Sequence, residues 1–102
     1  MCVNQKLQIQ AVGMVWYKRE NYERIRTICE DGNNLHDTYD EWLKAAEIGR
    51  KRMESQGARV VCVDIDPVEF PEWCKNNDMK LNAAARNRYA NLAAYKAVIE
   101  NS

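Results

Sequence analysis

The sequence is short of most things that mark a small protein for a particular task. It has one His, one Phe, two Pro, four Gly and no net charge, because 15 Lys and Arg balance 15 Asp and Glu over 102 residues. Balanced charge removes the electrostatic footprint of a general nucleic-acid binder. No apolar run approaches the length of a membrane span, and residues 1–10 lack the apolar stretch of a secretory signal. A soluble, cytoplasmic protein is therefore expected. Cys2, Cys29, Cys62 and Cys74 are then reduced thiols rather than two disulfides. No two cysteines have the close spacing of a structural zinc site, so Cys29, Cys62, Cys74 and His36 are expected not to bind metal. The lone His36 sits in a turn-rich stretch with no orienting group in view, so no catalytic residues and no cofactor are predicted.

Large aliphatic residues are scarce too. Leu, Ile, Val and Phe number 20, just under a fifth of the chain, while eleven Ala and four Cys swell the 46% hydrophobic content. Three Trp and five Tyr, with zero net charge, nevertheless argue for a folded chain whose modest core is finished by aromatics. The length suits one domain spanning 1–102.

Patterning gives the order of elements. Leu7, Ile9 and Ala11 alternate with polar residues, so residues 1–13 read as a strand or as an N-terminal extension, with 14–100 as the core. Tyr22, Ile25, Ile28 and Cys29 repeat at helical spacing, closed by Asp31-Gly32-Asn33-Asn34. Thr38-Tyr39-Asp40-Glu41 is a capping box. It opens a helix whose inner face is Tyr39, Trp42, Leu43, Ala46, Gly49 and Met53. Gly57 stops that helix, and Gly49 suggests another backbone passing close by. Arg59 to Ile65 is a short β-branched strand. Asp66-Pro67 with Glu69 reads as an N-cap and acidic first turn, with Phe70, Trp73 and Cys74 turned inward. The last helix, from about Asn82 to Glu100, carries a core stripe of Leu81, Ala85, Tyr89, Leu92, Tyr95 and Ile99. Ala83, Ala90, Ala94 and Ala97 lie on the opposite side. The predicted class is α+β in the order (β)ααβαα, four helices around a one- or two-stranded sheet.

Three places invite function. Asp64 and Asp66, at the end of a strand, could hold a hard cation or small ligand, with Glu69 as a third carboxylate. The competing reading makes Asp66 a helix cap. Arg88 falls inside the predicted apolar stripe, where a buried Arg needs a carboxylate such as Asp64, unless its stem merely covers the core. Trp16-Tyr17 and the Ala83, Ala90, Ala94 and Ala97 face are candidate partner surfaces. Trp16-Tyr17 has packing at the start of the helix as the alternative.

A lone strand cannot satisfy its backbone, so the 59–65 strand must pair with residues 5–12, with the same strand of a second chain, or with both. A homodimer is expected. Charge by segment leaves the last helix mildly basic, with Arg86, Arg88 and Lys96 against Glu100, which is thin for phosphate binding.

The segments Trp16-Tyr17…Tyr22, Thr38-Tyr39-Asp40-Glu41-Trp42, Ile65-Asp66-Pro67…Phe70…Trp73-Cys74 and Ala85-Arg86…Tyr89-Ala90 resemble a group of small uncharacterised bacterial proteins. The resemblance spans about residues 14–95. It implies a bacterial source and no particular activity. The function expected from the residues is a non-catalytic interaction or regulatory module that self-associates, with a small-ligand or metal site at Asp64, Asp66 and Arg88 as the alternative.

Overall fold

The computed structural model describes residues 11–100. Two strands, β1 (Ala11–Trp16) and β2 (Arg59–Asp64), form a parallel sheet with Ala11 beside Arg59 and Trp16 beside Asp64. Parallel strands need a long crossover. Here it consists of helix α1 (Arg19–Ile28), a 3-10 turn (Gly32–Asn34) and helix α2 (Tyr39–Ser55). Two further helices follow, α3 (Glu69–Asn76) and α4 (Ala83–Glu100). The chain is thus an α+β domain of order βααβαα.

The first strand lies later than its alternation predicts. Residues 5–10 fall outside the described residues, and the pairing runs over Ala11–Trp16, taking in Val15-Trp16. Residues 11–13 therefore belong to the core unit, not to a dispensable extension. Side chains alternate across β1. Met14 and Trp16 face α2, since the Met14 methyl lies 3.5 Å from where a Cβ on Gly49 would sit and the Trp16 and Trp42 rings are 5.1 Å apart. Gly13 faces α4, whose Ala90 backbone it touches. Helices thus cover both faces of the sheet.

The close backbone approach expected at Gly49 occurs at Gly13 instead. Gly49 meets only the flexible end of Met14. The capping box is formed as predicted: Thr38 Oγ1 accepts from the Glu41 N–H at 3.2 Å, and Glu41 Oε1 accepts from the Thr38 N–H at 3.3 Å. Gly57, at φ +94°, ends the run beyond α2 in the left-handed region.

Aromatic rings complete what the aliphatics cannot. Trp16, Tyr17, Tyr22, Tyr39 and Trp42 form one cluster, with ring centroids 4.9 to 6.0 Å apart. Phe70, Trp73 and Tyr89 form a second, binding α3 to α4.

Candidate functional site: the two sides of the last helix

α4 is rotated from its predicted orientation. Ala85 is buried and Leu81 and Tyr89 pack on the core as predicted, but Ala90 and Ala94 are buried as well, and Leu92, Tyr95 and Ile99 are 48%, 67% and 51% exposed. The helix is apolar on most sides, so hydropathy alone does not fix its rotation. Proximity does. A Cβ placed on Gly13 would come within 2.3 Å of the Ala90 carbonyl oxygen, so this helix touches β1 through its backbone. Only a face of small residues permits that approach. Asn91 reinforces it, its Oδ1 accepting the Gly13 N–H at 3.1 Å. Ala90 and Ala94 are consequently core, not a partner surface, while Ala83 is exposed and Ala97 half-buried.

The same rotation buries a different arginine. Arg88 is exposed, with no ion pair among the described residues. Arg86 is the buried one, at 4% exposure. Its guanidinium donates two parallel hydrogen bonds to Asp31, at 2.8 and 3.0 Å. Burial opposes its charge, but its hydrogen bonds to Asp31, with Tyr17 and Cys29 nearby, raise its pKa above the ordinary arginine value. Reciprocally, the Arg86 hydrogen bond holds the Asp31 carboxyl below the usual range. Burial pushes the Tyr17 phenol up to about 12 and the Cys29 thiol up as well. These shifts disfavour a thiolate or phenolate nucleophile there, so the cluster fastens the end of α1 to the start of α4. Its signal in the sequence is Ala85-Arg86 beside Ala90 and Ala94, all on the small-residue side.

The remaining candidates do not converge. Asp64 is half-exposed and lies 3.9 Å from Lys18, a loose surface pair. Asp66 Oδ1 accepts from the Val68 and Glu69 N–H groups at 2.8 Å each, and these bonds lower its pKa. It caps, although the regular helix begins at Glu69 rather than at Pro67. We expect Asp66→Ala to lower the thermal melting temperature and Asp66→Asn to preserve it, because the amide oxygen still accepts. Equal melting of all three proteins would refute the capping role. Arg88 bonds to neither carboxylate. Tyr17 is 2% exposed and Trp16 is packed on Trp42, so the pair serves the core rather than a partner. Among the described residues, no three His, Cys, Asp or Glu side chains gather where a metal ion would sit.

Two surface depressions remain. A polar cleft of about 390 Å³ lies along the end of α1, lined by Glu23, Arg26, Thr27, Glu30 and Asn33. Arg26 is already paired with Glu23 and Asp37, and Glu30 accepts from Asn82. An apolar groove of about 230 Å³ runs between α3 and α4, lined by Trp73, Tyr89, Leu92, Ala93 and Lys96. It lies on the side of α4 that the rotation leaves facing outward. Sequence reasoning missed it by assigning Leu92 and Tyr95 to the core. No helix among the described residues is long and apolar enough to cross a membrane. No protein-family profile, no curated protein and no solved structure matches this chain.

Proposed function

We propose that this protein is a cytosolic, non-catalytic protein–protein interaction module that self-associates. The observation that carries the reading is the apolar groove on the outer side of α4, continuous with the exposed Leu92 and Tyr95 side chains. Exposed aromatic and aliphatic groups around a concavity mark docking sites. The occupant we assign is an amphipathic helix flanked by carboxylates. Leu92 and Tyr95 supply the apolar surface at helical spacing, while Lys96 lines the groove and exposed Arg88 lies one turn before Leu92, both without ion-pair partners among the described residues. Nucleic acid is a poorer occupant, because Arg86, the third base of α4, is buried and neutralised by Asp31. We also keep, as part of the proposal, the resemblance of this chain to a group of small uncharacterised bacterial proteins.

The test uses a synthetic peptide with Leu at helical i, i+3, i+4 and i+7 positions and Glu beside them, titrated while amide NMR shifts are followed. Shifts are expected at Leu92, Ala93 and Lys96, weakening as salt rises. Leu92→Asp should reduce affinity about tenfold or more. Equal binding of a scrambled peptide of the same composition, or shifts confined to other surfaces, would remove the assignment.

A further inference from the structure

The two edges of the sheet are treated differently. The Ile65 N–H donates to the Trp16 carbonyl at 3.0 Å. By alternation along a parallel ladder, Val61, Val63 and Ile65 bond towards β1, and Val60, Cys62 and Asp64 direct their N–H and C=O groups outward. The outer edge of β1 is capped at its Gly13, whose N–H Asn91 takes. The outer edge of β2 has no such cover: no backbone partner for Val60, Cys62 or Asp64 exists on that side among the described residues.

Open edges are ordinarily blunted by Pro, Lys, a bulge or an overlying element. β2 reads Arg-Val-Val-Cys-Val-Asp, apolar through its middle with none of those residues inside it. A two-stranded sheet is itself marginal.

We infer that β2 pairs antiparallel with β2 of a second copy of this chain, across a two-fold axis at Cys62, to make a four-stranded sheet of order β1-β2-β2-β1. Three observations select a second copy over another strand. The outward groups of Val60, Cys62 and Asp64 are symmetric about Cys62, so the edge is complementary to itself under a two-fold rotation. Exposed Arg59 opens the strand and exposed Asp64 ends it, and pairing about Cys62 sets Arg59 opposite Ile65 and Asp64 opposite Val60, so no like charges face each other across the axis. The chain has zero net charge, so two copies do not repel as wholes. A two-fold axis normal to the sheet keeps both α4 helices on one face and both α2 helices on the other. The inference rests on the β2 edge alone and uses none of the residues that line the α4 groove, so it is argued independently of the helix-docking assignment.

Gel filtration with light scattering tests it. Wild type is expected at twice the 11.9 kDa chain mass. Val60→Pro removes only an outward N–H, leaving the bonds to β1 in place, and should give monomer with an unchanged circular dichroism spectrum. Cys62→Lys should do the same by setting two ammonium groups face to face. In a Cys2→Ser background, a short bifunctional maleimide should join two chains, and Cys62→Ser should abolish that product while keeping the dimer mass. Leu92→Asp should leave the dimer intact. A monomeric wild type at high concentration overturns the inference. So does a dimer that survives both Val60→Pro and Cys62→Lys, or one that dissociates with Leu92→Asp instead.

Discussion

Replacing Arg86 with Ala is expected to destabilise the fold by about 3–5 kcal/mol, the cost of leaving one member of a buried ion pair alone. That is a large share of the roughly 5–15 kcal/mol that holds a small domain together. Asp31 would be stranded in a site where its side chain is only 18% exposed. Urea unfolding measures the loss, and Arg88→Ala is the control, expected within about 0.5 kcal/mol of wild type because that side chain is exposed. Replacing both partners, as Asp31→Leu with Arg86→Met, should recover most of the stability, since no uncompensated charge remains. Acid has a matching effect. The Asp31 pKa is lowered in the folded state, so its contribution is fully present above the ordinary carboxylate value of 3.8 and disappears as pH falls through the folded value. The double variant should show a shallower decline of stability below about pH 4. An unchanged acid profile would show that the pair does not govern this region.

Gly13→Ala should cost about 1–3 kcal/mol, and Gly13→Val more. The new Cβ would lie 2.3 Å from the Ala90 oxygen, 2.6 Å from its carbonyl carbon and 2.9 Å from the Asn91 Cα. All three are backbone atoms, so no rotamer change relieves the clash. α4 would have to move off the sheet, and the Asn91 bond to the strand would lengthen with it. Gly49→Ala is the informative contrast. Its Cβ would meet only the Met14 methyl, at an ordinary 3.5 Å, and Ala favours a helix interior over Gly by about 1 kcal/mol. Thermal melting of the two variants should therefore move in opposite directions. A shared direction would mean that α4 does not sit on Gly13 as described.

Much of the local architecture was legible in the sequence. The capping box at Thr38, the cap at Asp66, the strand from Arg59 and the turn after α1 each depend on a few adjacent residues, and such signals survive without knowledge of the rest of the fold. The alternation around Ile9 and Ala11 pointed to an N-terminal strand but not to its extent, because the pairing partner lies far along the chain. The rotation of α4 was not legible. With Ala on one side and Leu92, Tyr95 and Ile99 on another, hydrophobic bulk predicts the larger side inward. The structure buries the smaller side, because a glycine on a distant strand allows backbone contact there. Arg86 and Arg88 were exchanged for the same reason: the rotation brings Arg86, Ala90 and Ala94 inward and turns Arg88, Leu92 and Tyr95 outward, while Ala85 and Tyr89 keep their place in the core. The candidate surface on α4 became visible only once that rotation was known.

The parallel ladder also bears on how the chain reaches this state. Every pair between β1 and β2 joins residues 48 apart in sequence, and the clasp at Gly13 joins it to Asn91, 78 residues away. Closing such loops costs entropy before the contacts repay it, which slows folding relative to a bundle of local helices. During synthesis from the N-terminus, β1 emerges first and has no strand to pair with until β2 follows. The Gly13 N–H on its outer edge has no Asn91 to bond until half of α4 has been made. The fold therefore closes only when its last helix packs onto β1.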